Sequence, residues 1–375
     1  MRVLVVGGGP AGSLAALHLA EKADVTIVEE HPSAGFPVQC AGLISDTCYS
    51  ELRNYVSDRC LLNRIEGAFV LAPDGSYVEL KGRSKAVVVE RKIFDSELLR
   101  KAAEMDRIDV RIKTRFMNCN GKKALVRGMN GEELLQYDAI IGADGVASTV
   151  AKVFGFPRPR TLLAMQVECR FEAMDEHMVE LYFGKDYSDC FFGYAVPLGD
   201  TARIGVVASE NPQQYLMNLL EKHPSVSKRV KGGVIELNTG AIPVKPINFA
   251  RGNVALIGDA AGMVKPYTGG GIYYHYIAAQ TLGETFPDLD AYRRIYMKKM
   301  GYEYKMGERI ARLYSLLTDD DYVNLVKIGK GAEELAAELH MDSPSSLLKV
   351  IPRFIRLLTN PRLSAKFGRA LLMGL

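Results

Sequence analysis

The chain has 375 residues, 48% hydrophobic and 24% charged, the balance of a folded globular protein with room for two domains. A formal net charge of +3 is too small to point to nucleic acid, and no apolar run reaches the roughly 18 residues that a membrane span needs. The six cysteines (40, 48, 60, 119, 169 and 190) contain no CxxC pair, which argues against a metal site and for reduced thiols in a cytoplasm.

The N-terminal stretch RVLVVGGGPAGSLAALHLAEKADVTIVEE reads as strand, glycine turn, helix, strand and acid. Its short, glycine-broken apolar run is a strand, not a signal peptide. In that order the glycines are a dinucleotide-binding fingerprint and not merely a flexible turn. Gly7 makes the tight turn and Gly9 lets the backbone approach a pyrophosphate. Ala11 lies in the same turn, and Gly12 lets the helix pack closely on the strand. The helix N-terminus faces the phosphate charge. Glu29 ends the second strand, where its carboxylate can accept hydrogen bonds from both adenosine ribose hydroxyls.

Further along, residues 61–85 read as a hairpin turning at Pro73-Asp74-Gly75. Arg91-Lys-Ile-Phe-Asp95 opens a helix, and RIKTRF, carrying Arg115, reads as a strand. A buried strand delivers Asp144-Gly145 to a turn closed by Ser148. Residues 161–245 are strand-rich, with MQVECRFEA, MVELYFG, FFGYAVPLG and TARIGVVAS in succession. Another apolar strand then brings Gly258-Asp259 to a loop that passes through Pro266-Tyr267-Thr268-Gly269-Gly270-Gly271-Ile272 into a helix. Each segment alone has a plain structural reading, as a turn, a strand end or a capped helix.

Together, in this order and spacing, they resemble the FAD-binding signature of the para-hydroxybenzoate-hydroxylase-like flavoproteins, over nearly all of residues 1–285. The resemblance implies FAD as cofactor, with Arg91 near the pyrophosphate and Arg115 offering a backbone contact to adenine. Asp259 would accept a hydrogen bond from the ribityl chain, while Gly271 and Ile272 touch the flavin ring. A helix N-terminus at the pyrimidine edge stabilises the negative charge of the reduced ring by about 0.3–2 kcal/mol. One departure stands out. Ala151, followed by Lys152, occupies the place of the arginine that such proteins usually carry three residues after the serine, which puts the anchoring of that turn in doubt.

Within that superfamily, Phe36-Pro-Val-Gln-Cys40-Ala41-Gly42-Leu43-Ile-Ser45 is similar to the cysteine-containing loop of geranylgeranyl reductases. That resemblance implies that Cys40, Ala41 and Leu43 contact FAD, with Cys40 as catalytic candidate near the reactive face. The alternative for Cys40 is a buried apolar thiol. The family's substrate-wall motif PxxYxWxFP is altered here: Phe192 stands for the tyrosine, Tyr194 for the tryptophan, and Pro197 is kept. Phe192, Tyr194, Pro197 and Tyr267 are therefore the expected substrate-pocket residues. His275 falls where a small residue is expected and is read as structural, satisfied by a neighbour or a water.

The expected fold class is α/β (α+β overall). A Rossmann-like FAD-binding domain comes from residues 1–60, 86–160 and 246–285, with alternating strand and helix patterns. An antiparallel-sheet substrate domain comes from 61–85 and 161–245, and a helical region from 286–375. From Ser343 onward there is no acid, while Lys349, Arg353, Arg356, Arg362, Lys366 and Arg369 are basic. Apolar residues recur there at helical spacing, first Leu347, Leu348, Ile351, Phe354, Ile355 and Leu358, then Leu363, Phe367 and Leu371. Residues 343–375 read either as a segment lying on an anionic membrane surface or as ordinary helix packed on the body.

The expected activity is FAD-dependent reduction of isoprenoid double bonds on a lipid substrate, at the cytoplasmic membrane face. The electron donor is left open between reduced ferredoxin and NAD(P)H. Two rival readings stand beside it: an NAD(P)H-dependent flavin monooxygenase acting on an aromatic substrate, and a non-catalytic FAD-binding partner protein. No nucleic acid and no metal are expected.

Overall fold

The β-branched run Arg2–Val6 forms the middle of a six-stranded sheet, where burial on both faces suits a continuous apolar strand. The computed structural model describes residues 1–330, 338–347, 349–350 and 361–372. The strand order is 250–251, 254–256, 139–142, 2–6, 24–28 and 108–111, with only the first pair antiparallel. Helices Pro10–Leu19, Arg91–Ala103 and Ile272–Thr285 contribute to the same core, which holds Leu14, Leu98 and Leu282. This is the expected Rossmann-like α/β arrangement.

Residues 86–160 depart from a simple strand–helix alternation. Arg115–Asn120, Lys123–Gly128 and Gly131–Gln136 form a separate three-stranded antiparallel meander. Its inward residues Phe116, Ala124 and Val126 join the main core. Both of its turns are Asn-Gly pairs, with Gly121 at φ +57° and Gly131 at φ +108°, the backbone that glycine adopts without strain.

A second sheet has eight strands, ordered 230–243, 161–171, 201–208, 193–197, 178–182, 61–71, 77–89 and 43–45. The 61–71/77–89 hairpin forms as expected, with Gly75 at φ +83° in its turn. A wholly antiparallel sheet was the expectation, and it fails at one joint. Met178–Tyr182 runs parallel to Gly67–Leu71, because no hairpin links these distant segments and so none fixes their direction. Within the strand-rich span a helix, Pro212–Lys222, starts on a proline at its first position and buries Leu216 and Leu219 against this sheet. Leu43–Ser45 adds the outermost strand, so the cysteine loop leads out of the nucleotide domain and into the second sheet.

The C-terminal region is helical at Leu289–Leu316, Asp319–Gly329 and Pro361–Leu372. Leu363 is fully buried and Phe367 packs beside it, against Val78, Leu317, Tyr322 and Val326. Lys366 pairs with Asp321. For residues 361–372 the packed-helix reading therefore holds. Most of the preceding apolar stripe, from Leu348 to Leu358, lies outside the described residues. No described helix is long and apolar enough to cross a membrane.

Candidate active site

The N-terminal glycines do what their spacing requires. A Cβ on Gly7, at φ +103°, would lie 2.4 Å from the Ala143 carbonyl oxygen, and one on Gly12 would lie 1.9 Å from that of Gly7. Gly9 is different, for nothing lies within 4 Å of its would-be Cβ. It caps helix Pro10–Leu19 with no side-chain hydrogen bond, so the free N–H groups of the first turn have no side-chain cap. Ala11 touches the other loop of the site: a Cβ on Gly258 would fall 2.6 Å from the Ala11 methyl. The Glu29 carboxylate is buried, accepting from the Gly8 N–H at 2.7 Å, the His31 N–H at 2.9 Å and, at 2.7 Å, lying against His31 Nδ1.

The doubtful turn has its own anchor. Asp144 accepts from Ser148 Oγ at 2.6 Å and from the N–H groups of Thr149 and Val150 at 2.7 and 3.0 Å. Ser148 in turn caps Ala151 N–H. Burial lifts the Asp144 carboxyl above its ordinary value against these bonds. That turn is thus held by a carboxylate-centred network. Arg115 sits on the exposed side, paired with Glu30 at 3.3 Å, next to Thr114 whose N–H reaches the Glu29 carbonyl.

Arg91 opens its helix and forms a two-pronged pair with buried Asp95, both contacts 2.8 Å. Burial works against its charge, but Asp95 and the neighbouring Cys40 sulfur outweigh burial and hold the guanidinium firmly protonated. It thus lies beside the cysteine loop. Cys40 Sγ also accepts the Gly42 N–H at 3.4 Å. The loop is fastened to the second sheet by residues the sequence reading did not single out. Gln166 donates to the Cys40 carbonyl at 3.3 Å and buried Arg203 donates to the Ala41 carbonyl at 3.1 Å. Arg203 is itself balanced by Glu90 at 3.0 Å and Glu168 at 3.3 Å. Ala41 and Leu43 pack in one apolar cluster with Tyr194 and Met341.

On the other side, the short turn Gly258–Ala261 presents Asp259, whose side chain is 40% exposed. Helix Ile272–Thr285 begins at Gly271 with no side-chain cap, leaving its N–H groups open beside Gly269 and Gly270. Ile272 is buried at its first position. Among the described residues, Thr268 Oγ1 and both His275 ring nitrogens are buried there without a hydrogen-bond partner. Beneath this turn Lys265 Nζ pairs with Asp342 at 2.8 Å, both nearly fully buried, and Ser45 Oγ bonds the same carboxylate.

An aromatic wall adjoins the turn. Phe191 and Phe192 stack at 4.4 Å, and Phe183 and Tyr314 lie 5.4 and 5.9 Å from Phe192. Ile242 belongs to the same cluster, and a Cβ on Gly269 would sit 3.1 Å from its Cδ1. Phe192 and Tyr194 are thus brought together as expected. Pro197 is not: strand alternation puts it on the face of Gly193 and Ala195, opposite Tyr194. Tyr267 donates its hydroxyl to the Met341 carbonyl at 2.7 Å, which ties its proton to the backbone.

Open glycine-lined space at Gly9, two uncapped helix starts and orphaned polar groups at Thr268 and His275 fit a large nucleotide cofactor spanning the domain. Among the described residues no His, Cys, Asp and Glu cluster could hold a metal. Comparison with known proteins points to the same nucleotide cofactor. A family model described as an FAD binding domain matches residues 1–217. The chain is 30% identical to digeranylgeranylglycerophospholipid reductase 2 of Methanothermobacter thermautotrophicus, covering 95% of this chain and 98% of that protein. It is also 30% identical to the digeranylgeranylglycerophospholipid reductase of Methanothrix thermoacetophila, covering 86% and 90%. Among solved structures, a geranylgeranyl bacteriochlorophyll reductase-like protein of Thermoplasma acidophilum superposes with a TM-score of 0.81 at 25% identity, covering 95% and 98%. The chain is an FAD-dependent oxidoreductase of the FAD-binding-domain flavoproteins, and within them it belongs to the family of the digeranylgeranylglycerophospholipid reductases.

Proposed function

We propose that the protein saturates isolated C=C bonds of isoprenoid chains, of the geranylgeranyl kind carried by membrane ether-lipid precursors. The observation that carries this reading is the wall of Phe183, Phe191, Phe192 and Tyr314, which meets the Gly269–Gly271 turn through Ile242. The aromatic and aliphatic side chains of this wall suit a hydrocarbon chain. The electrons come from an external donor, reduced ferredoxin or NAD(P)H. The lipid is met at the cytoplasmic membrane face, with basic side chains of residues 343–375 toward an anionic surface while the 361–372 helix keeps its apolar face on the body. Residues 61–85 and 161–245 act as the substrate domain, and 1–60, 86–160 and 246–285 as the FAD domain.

When bound, FAD supplies a hydride from its reduced ring. In this proposal Gly7, Gly9, Ala11, Gly12 and Glu29 hold its nucleotide end, and Arg91 and Arg115 border it. Asp259, Gly271 and Ile272 hold its flavin end, against Cys40, Ala41 and Leu43. An isolated alkene has no carbonyl to accept charge, so a proton must arrive at the less substituted carbon as hydride attacks the other. Tyr267, Tyr194 and Cys40 are the candidate proton donors. Tyr267 donates its proton to Met341 and Tyr194 donates its own to Gln166 Oε1 at 2.9 Å. Among the described residues the Cys40 thiol donates no hydrogen bond, and its sulfur accepts the Gly42 N–H at 3.4 Å. We therefore assign Cys40 as the proton donor, with the faces of Phe192 and Tyr194 steadying positive charge on the chain.

The test separates reduction from oxygenation. Reduced holoenzyme given oxygen and an aromatic acceptor should return no hydroxylated product. Stoichiometric oxygen insertion into any substrate would favour a monooxygenase.

A further inference from the structure

His275 stands at an unusual place. It lies on the first turn of helix Ile272–Thr285, and its side chain is nine-tenths buried. Its ring fills the gap between the two loops of the flavin arm. A Cβ on Gly271 would come within 2.6 Å of His275 Nε2, and one on Gly258 within 3.8 Å of it. Gly271 thus leaves room for this imidazole, which reaches across to ordinary contact distance of Gly258. A neutral imidazole always carries one N–H donor and one acceptor. Yet neither ring nitrogen has a hydrogen-bond partner. The nearest charged atom is Asp259 Oδ1, 3.4 Å from Nε2, close enough to pair but not aligned as a hydrogen bond. Asp259 is half open, and among the described residues its carboxylate receives no other hydrogen bond.

We propose that His275 is a positioning residue for the cofactor. Its Nε2–H donates to Asp259 Oδ1 and turns the carboxylate so that Oδ2 faces the bound FAD. This rests on the reading that Asp259 binds the cofactor, and it adds the residue that aims it. A buried donor left unmade is costly, and a small rotation of the Asp259 side chain closes the 3.4 Å gap.

The proposal is tested on holoenzyme, by dilution and recovery of free-flavin fluorescence, which reports the FAD dissociation constant without any turnover. His275→Ala should weaken FAD binding by about tenfold, the scale of a hydrogen bond to a charged group. In an Asp259→Ala background the same change should cost less than about twofold, because the two residues act as a unit. Glutamine places its amide N–H where Nε2 stands, whereas asparagine reaches only as far as Nδ1. His275→Gln should therefore restore most of the affinity and His275→Asn should not. If His275→Ala is insoluble, the Gln and Asn pair decides. Equal loss from His275→Ala in both backgrounds, or equal behaviour of Gln and Asn, would overturn the proposal alone. Unchanged affinity in Asp259→Ala itself would overturn the placement of Asp259 and the proposal with it.

Discussion

The Tyr194 hydroxyl donates to the Gln166 side-chain oxygen at 2.9 Å, directly over Gly205. A Cβ on Gly205 would lie 2.4 Å from that hydroxyl oxygen, so the cross-strand partner of Tyr194 has to be glycine. Gln166 passes the connection on to the Cys40 carbonyl. The substrate-side sheet thus holds the cysteine loop through a three-residue relay. Tyr194→Phe should leave Gln166 Oε1 unpaired, costing about 1–3 kcal/mol of stability. It should also slow alkene reduction while leaving FAD affinity near that of the wild type. Chemical denaturation and the FAD dissociation constant together check this.

Glu29 tests the nucleotide end. Glu29→Ala removes the acceptor of the Gly8 N–H and the carboxylate expected to meet the ribose hydroxyls. FAD retention should fall by about 1.5–3 kcal/mol, read as faster loss of yellow colour on dilution. Glu29→Ala that keeps full FAD affinity would refute the placement.

The nucleotide arm was legible because its glycines are local: Gly7, Gly9 and Gly12 each answer to backbone within one strand–turn–helix unit. The meander at 115–136 was legible too, from Asn120-Gly121 and Asn130-Gly131, but was passed over in favour of a strand–helix alternation. The supports of the cysteine loop could not be read. Gln166 and Arg203 bond to Cys40 and Ala41 across 126 and 162 residues, and Asp342 meets Ser45 across 297. Such pairs follow from sheet register and helix docking, which a single chain of letters does not display. Pro197 was misjudged for a related reason: the motif kept the residue, but strand alternation turned it away from the wall.

Stability should carry a pH signature from His223. Its ring is fully buried, 4.8 Å from both Tyr182 and Tyr187. Burial, reinforced by the Arg229 charge, lowers its pKa from 6.5 to about 4. Between those values the unfolded chain binds the proton and the folded one does not, so stability falls as pH drops through that window. The loss is at most roughly 3 kcal/mol by pH 4. His223→Gln should flatten this part of the curve relative to wild type in denaturant titrations at pH 4 to 7. Parallel curves would exclude His223 as the source.

The basic tail makes a separate prediction. Each basic residue that reaches an anionic bilayer contributes about 1 kcal/mol. Binding to anionic vesicles should exceed binding to neutral ones and fall with salt, as the Debye length shrinks to about 3 Å at 1 M. Replacing Arg353, Arg356 and Arg362 with glutamine should weaken it and leave the FAD spectrum intact. A wild type indifferent to vesicle charge would extend the packed-helix reading from Leu363 and Phe367 to the whole tail.

The central claim is alkene reduction at the Cys40 side of the site. It is tested most directly by a single turnover without oxygen, in deuterated water, mixing reduced holoenzyme with a geranylgeranylated glycerophospholipid. Each flavin reoxidised should yield one saturated bond, with both added hydrogens carried as deuterium, because the transferable N–H of a reduced flavin exchanges with water. Cys40→Ala should retain FAD and slow this step by about tenfold or more, while Cys48→Ala should stay near wild type. A flavin that stays reduced in the presence of the lipid, or a product with unchanged mass, would contradict the account.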